Sequence, residues 1–399
     1  MHMKKIGILI LGILLFQSCK KDDDEPVVAT PMERTVLVYI SGENNLSGYI
    51  ADELDELKEG SKGIGNNALV VYVDKNSSYE KPYIMRIKEG VAEEKYYFGT
   101  DSLSSHPEVM ARVLKYTSDH YPATDYGLVL WGHASGWVLE DSVEWSGSRM
   151  RGYGHDSGTD GNSLKDRYIN MNTLARVLTA WNKPIRFILA DCCQFQCIES
   201  AYELRHTTDY IIGSPAEIPG VGAPYHTMTP CMFSQADDFY REIVDAYYAQ
   251  KADNKRVLLS VIKTSTIPSL ASATNQALKT FALPAEACPD LRKQRLIYYR
   301  KQAYTPLMYD MNDFMLHNAP QQAYETWKQA LDQVVIYKTY TPTWVTSNQI
   351  NFNDFEMSEE RYGGISMFVP QALTSYAKYN KDIQATAWYW AAGLNEVGW

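Results

Sequence analysis

The feature that most limits what this chain can fold into is a series of short apolar runs, each ending in a polar turn. Val36–Ile40, Ala68–Val73, Gly127–Trp131 and Phe187–Ala190 are such runs, and Asp209–Ile212 reads as a further strand. A strand apolar at every position is covered on both faces, which is the condition of strands in a parallel sheet. Between the runs, Leu46, Ile50, Leu54 and Leu57 recur at helical spacing, and Val109–Thr117, Met171–Trp181 and Ile198–Leu204 also read as helices. Tyr83–Ile87 and Glu94–Phe98 read as an added hairpin. Strand–helix alternation of this kind predicts an α/β fold, a three-layer α/β/α sandwich around a mostly parallel sheet.

Two of the turns carry chemistry. Phe187–Ala190 runs into Asp191, Cys192, Cys193 and Cys197, and Gly127–Trp131 runs into His133. Open α/β sheets hold their ligands and reactive groups at the carboxyl ends of strands. A His and a Cys on two such ends are the pattern of a nucleophilic dyad. A thiol just ahead of a helix is expected to be biased toward thiolate by the N–H groups of the helix start. Side chains alternate along an extended segment, so only one of Cys192 and Cys193 can face the cleft. The competing reading is a metal site of Cys192, Cys193, Cys197 and a His, but this bunching does not match the paired spacings of structural zinc. We expect no metal there.

His133-Ala134-Ser135-Gly136-Trp137, then Asp191-Cys192-Cys193 and Glu199-Ser200-Ala201-Tyr202-Glu203, resembles the clostripain family of cysteine endopeptidases, relatives of caspases and gingipains. Thr35–Leu46 (TVLVYISGENNL) and His155–Leu164 (HDSGTDGNSL) share the resemblance, which spans most of residues 34–225. It implies a caspase-like sandwich and an endopeptidase cutting after Arg or Lys. The Asp-x-Cys pattern selects Cys193 as nucleophile and makes Cys192 inward-packed, while Cys197 is structural. His133 would be the base, and later the acid that protonates the leaving amine. The backbone N–H groups of Cys193 and Ala134 would hold the oxyanion. Ala134 stands where the family has Gly, and its methyl is expected near the substrate path. Asp191 would line the pocket for the residue before the cut, with Glu217 reinforcing it, which selects a cationic side chain. A helix N-cap is the alternative role for Asp191. In the family, the region corresponding to Leu139–Arg167 can be self-cleaved after a basic residue; Arg149 and Arg151 are the candidates, beside the alternative of an uncut loop. Some family members respond to calcium. The sequence has no EF-hand-type acidic loop, so calcium stays open.

Met1–Ser18 reads as a targeting segment, with a basic start and an apolar run too short to span a bilayer. Ser18-Cys19 resembles a lipobox, which makes Cys19 the lipidated first residue; an ordinary cleaved signal is the alternative. The acidic tether, residues 19–33, begins Lys20-Lys21-Asp22-Asp23 and resembles the surface-export signal of Bacteroidetes lipoproteins. An outward-facing outer-membrane lipoprotein is therefore expected. The peptidase domain is assigned to residues 34–237 and a C-terminal α+β subdomain, packed on the sheet, to 238–399. There, Phe239–Gln250, Ile267–Phe281, Ala287–Gln302, Ala319–Tyr337 and Ala372–Tyr379 read as helices, and Val257–Ile262 and Gly364–Val369 as strands. Cys231 and Cys288 read as buried inert thiols or as a pair. The net charge of −10 argues against a nucleic-acid partner. The expected partners are protein or peptide substrates with Arg or Lys, and a membrane reached through the lipid. Two other readings share these residues: a weak or inactive caspase-like surface binding module, and a transpeptidase that resolves its acyl-enzyme with an amine.

Overall fold

The computed structural model describes residues 32–99, 103–138, 152–158, 168–252, 257–302, 305–344 and 355–399. Cys19, Arg149, Arg151 and most of the signal and tether readings lie outside the described residues. Among the described residues, ten strands make the main sheet: β1 (Met32–Gly42), β2 (Ala68–Lys75), β3 (Tyr83–Lys88), β4 (Val91–Ala92), β5 (Tyr96–Tyr97), β6 (Ala123–Gly132), β7 (Ile185–Asp191), β8 (Thr208–Gly213), β9 (Leu258–Lys263) and β10 (Val335–Tyr340). The order across it is β10-β9-β8-β7-β6-β1-β2-β3-β4, with β5 also on β3. The centre, from β8 to β2, is parallel, and the outer pairs β2–β3, β8–β9 and β9–β10 are antiparallel.

The apolar runs are continuous because both faces are covered. In β1, Val36, Val38 and Ile40 enter one apolar cluster, and Leu37 and Tyr39 enter the other. The first cluster is closed by α1 (Ile50–Gly60), α5 (Tyr225–Met228) and α6 (Phe239–Ala252). The second is closed by α2 (Pro107–His120), α3 (Met171–Trp181), α4 (Ile198–Leu204) and α7 (Ile267–Phe281), together with α8 (Gln321–Val334). This is the three-layer sandwich expected. The chain leaves β1 for β2 on one side and returns to β6 on the other, so strand order reverses between β1 and β6. Such a reversal opens a crevice at the carboxyl edge, where ligands bind in sheets of this kind.

Residues 31–399 form one compact unit, and β9 and β10 extend the sheet from beyond residue 238. Two helix expectations fail there. Ala287–Gln302 holds only a 3-10 turn, Leu291–Gln294; beyond it Ile297, Tyr299 and Arg300 exchange backbone hydrogen bonds with Asp310, Met308 and Leu307. The Ile297-Tyr298-Tyr299 run suits an extended pairing that periodicity does not register. The helix expected over Ala319–Tyr337 ends at Val334, where Val335–Tyr340, rich in β-branched and aromatic residues, becomes an edge strand. Among the described residues, no helix is long and apolar enough to cross a membrane.

α4 carries a carboxyl group with a consequence for stability. Glu199 is buried in its first turn and accepts the Phe368 N–H at 2.7 Å. Burial pushes its carboxyl up to about 7 from an ordinary 4.5. The folded state therefore holds this proton more tightly than the unfolded one. Its stabilising effect is complete below pH 4.5 and lost as pH rises through about 7, a swing of roughly 3 kcal/mol. Urea unfolding between pH 5 and 8 should show stability falling with pH from this group, and Glu199→Gln should flatten that slope.

Candidate active site

The pairing of β6 with β7 brings Trp131 opposite Asp191. His133 and Cys193 each lie two positions further on, and both line one cavity of about 200 Å³. Asp191, Glu217, Trp131, Leu46 and the Ile218–Gly220 segment also line it. A larger cavity of about 740 Å³ lies at the opposite, amino-terminal edge of the sheet, around Arg34, Ile185 and Thr208, and has no cysteine in its wall. The smaller one holds the candidate residues His133 and Cys193.

Local conformation explains the motif residues around His133 and Cys193. Gly132 has φ +143°, and a Cβ there would stand 2.7 Å from the Ser41 carbonyl oxygen, so glycine lets β6 end tight against β1. Gly136, at φ +65°, lies where a Cβ would meet Met308 Cε at 2.7 Å, Gln194 O at 2.9 Å and Cys197 Sγ at 3.0 Å. Glycine thus seats the His133 turn against the Cys193 turn. Trp137 then drops into the core, its ring 5.1 Å from that of Phe368. Ala134 is fully buried and belongs to the core cluster. Its methyl therefore points into the core, and the expectation that it intrudes on the substrate path is corrected.

The Cys193 turn is held from outside the strand. Gln194 takes φ +57°, and its N–H donates to the Ala216 carbonyl at 2.8 Å. Its side-chain oxygen accepts from Arg300 Nη1 at 2.9 Å, and the same nitrogen reaches the Ser135 carbonyl at 3.5 Å. Arg300 is buried and bridges both turns. Cys192 is buried in the core cluster, on the sheet face opposite to Trp131. Cys197 is the N-cap residue of α4, with Sγ 3.0 Å from Ser200 Oγ. The three thiols do not converge, and none of the described cysteines forms a disulfide, Cys231 and Cys288 included.

Cys193 is not biased toward thiolate. Burial is the largest cause that pushes its thiol up to about 12, and the charges of Glu217 and Asp191 add to it. The Ile218 N–H and the Arg300 charge act the other way without prevailing. The helix-start expectation fails because α4 begins only at Ile198, with the Cys192–Cys197 turn between. Burial also lowers His133 below its ordinary 6.5, so the imidazole is neutral at pH 7. The ring is 6.2 Å from that of His155, and Nε2 is 2.7 Å from Asn45 Oδ1.

Asp191 is buried and heavily hydrogen-bonded. Its Oδ2 accepts from the Ala223 N–H at 2.9 Å and the Tyr225 hydroxyl at 2.8 Å, and Oδ1 accepts from the Tyr247 hydroxyl at 3.3 Å. It does not cap α4, whose N-cap residue is Cys197. Glu217 is buried and lines the same cavity. Sequence reasoning missed Asn45, Tyr225, Tyr247 and Arg300. Asn45 lay inside a quoted stretch without a role, and nothing local marks the other three. It also missed a group of acids suited to a hard cation. Carboxylate oxygens of buried Glu43, Asp74 and Asp156 lie within 4.8 Å of one another beside the ends of β1 and β2. All-oxygen donors of this kind suit calcium rather than zinc.

Known proteins agree with this architecture. A secreted C11 cysteine protease from Bacteroides thetaiotaomicron, solved with an irreversible peptide inhibitor, is 29% identical with a TM-score of 0.74, over 92% of this chain and 100% of that one. An inactive zymogen C11 protease from Parabacteroides distasonis is 29% identical with a TM-score of 0.72, over 92% of this chain and 99% of that one. Clostripain from Hathewaya histolytica is 24% identical over 219 residues, 48% of this chain and 40% of that protein, so the match spans less than half of clostripain. The sequence model of the clostripain family matches residues 38–399. The chain belongs to the clostripain family of cysteine peptidases.

Proposed function

We propose that the chain is a cysteine endopeptidase that cuts after Arg or Lys, with Cys193 as nucleophile and His133 as general base. The observation that carries this reading is the shared register of the two strand ends, which open on one cavity with two carboxylates in its wall. The Bacteroides thetaiotaomicron relative with its bound peptide inhibitor supports a peptide substrate.

In the resting site, thiol and imidazole are both neutral. The proton passes from Sγ to His133 as sulfur bonds to the scissile carbonyl carbon. The displaced electron pair collects on oxygen, toward the Cys193 and Ala134 N–H groups. The imidazolium gives its proton to the departing amine as the C–N bond breaks, and water then hydrolyses the thioester with His133 again as base. Burial chiefly holds the thiol protonated, and the charges of Glu217 and Asp191 add to it. A guanidinium or ammonium entering beside them offsets those charges, so the cationic substrate itself favours the nucleophilic form.

The test is hydrolysis of fluorogenic peptides with Arg, Lys, Asp, Leu or Ala before the cut. Cleavage should follow Arg or Lys, and Glu217→Gln should lower kcat/KM for these by about tenfold while leaving any Leu cleavage within about threefold. Activity confined to Asp or Leu substrates would remove the carboxylates as selectors.

Self-cleavage at Arg149 or Arg151 remains part of this reading, supported by the zymogen form of the Parabacteroides distasonis relative. So does export as a lipoprotein through Cys19, supported by the secreted Bacteroides thetaiotaomicron relative. We assign residues 34–237 the catalytic turns and residues 238–399 their support.

A further inference from the structure

We infer that Asn45 is a third, positioning member of the site, which holds the His133 ring in one tautomer with its Nδ1 lone pair toward Cys193. This rests on the Cys193/His133 reading above. The carboxyl ends of β1 and β6 are adjacent, with Ser41 paired to Gly132, so the loop leaving β1 passes over the His133 turn. Asn45 Oδ1 lies 2.7 Å from His133 Nε2. A carboxamide oxygen only accepts, so the nitrogen facing it carries the proton and the other is left as acceptor. That acceptor is what a thiol proton needs.

The loop is fixed well enough for this work. Asn44 Nδ2 donates to the Ser41 carbonyl at 3.1 Å and the His155 carbonyl at 2.7 Å. Asn44 Oδ1 accepts the Leu46 N–H at 2.8 Å, and the Ser157 N–H donates to the Glu43 carbonyl at 2.8 Å. The residues on either side of Asn45 are tied down while its own side chain faces the imidazole.

A carboxamide also suits a site where the ring must stay neutral. It accepts from the imidazole and strengthens its bond when the ring becomes imidazolium, but brings no standing charge to hold a proton there. A carboxylate in its place would keep the acceptor and raise the proton affinity of the ring. The titratable groups near the ring are His155, 6.2 Å away, and Cys193, Asp191 and Glu217 around the cavity. A His155→Gln control separates the two imidazoles.

The experiment is kcat, KM and the pH profile of kcat/KM for Asn45→Ala and Asn45→Asp, with His133→Ala and Cys193→Ala beside them. Asn45→Ala should lower kcat by tenfold or more with KM within about threefold. Asn45→Asp should recover part of that rate and move the acid limb up by about a pH unit, also in the His155→Gln background. A merely structural loop residue would not move that limb. An alanine variant within twofold of the parent, or an aspartate variant with an unmoved limb, overturns the assignment while leaving the dyad. If His133→Ala or Cys193→Ala is as active as the parent, the dyad reading falls and this inference with it.

Discussion

Cys193→Ala is expected to abolish peptide hydrolysis, by at least about 10⁴-fold, whereas Cys192→Ala should leave kcat within about threefold and cost on the order of 1 kcal/mol of stability. The two thiols are neighbours in sequence and belong to different layers of the sandwich. Asp191 is bonded to α5 and α6 through Tyr225 and Tyr247, so Cys192, one position on, turns to the opposite face and is buried in the core there. Cys193 returns to the first face and lines the cavity with His133. Removing the Cys192 sulfur leaves a small void among core side chains, and removing the Cys193 sulfur leaves no nucleophile. Iodoacetamide labelling mapped by mass spectrometry checks the same register. Label should be found on Cys193 in the parent and in Cys192→Ala. Label that vanishes in Cys192→Ala and persists in Cys193→Ala would move the nucleophile by one residue.

What could be read from the sequence divides by how far apart the cooperating residues lie. Strands β1, β2, β6 and β7 were legible because a strand must be apolar along the length that is covered on both faces, while β8 showed in the short run Tyr210–Ile212 behind an exposed Asp209. His133, Asp191 and Cys193 could be singled out because each sits in a short local motif, and the structure brings the three to one cavity; in the His133 motif, Gly136 is demanded by the contact between the two turns. Asn45 reaches His133 across 88 positions, and Arg300 reaches Gln194 across 106. Those meetings are made by strand order and by the folding back of the C-terminal half, and no periodicity records them. The segment Ala287–Gln302 was misread for the same reason: its backbone partners lie on Leu307–Asp310, and side-chain spacing says nothing about them. The thiolate expectation erred in a different way. It counted the helix start and left out burial, the larger effect at Cys193.

Arg300 ties the second half of the chain to the chemistry, and Arg300→Met is expected to lower kcat by about a hundredfold and to cost about 2 kcal/mol of stability. Its guanidinium hydrogen-bonds Gln194 from below the Cys193 turn and reaches Ser135 in the His133 turn. Methionine fills the volume but leaves the Gln194 carboxamide oxygen, buried with its residue, without this donor. The left-handed turn at Gln194 then keeps only its backbone bond to Ala216, and Cys193 drifts relative to His133. The charge has a separate effect. Arg300 is a cation that lowers the proton affinity of the Cys193 thiol against the pull of burial. Its loss should slow iodoacetamide alkylation of Cys193 at pH 8 by about tenfold, a readout that packing alone would not move. Arg300→Lys keeps the charge and loses the planar fork, so alkylation should recover more fully than kcat. If Arg300→Met lowers stability while alkylation and kcat stay within twofold, Arg300 serves the core and not the site.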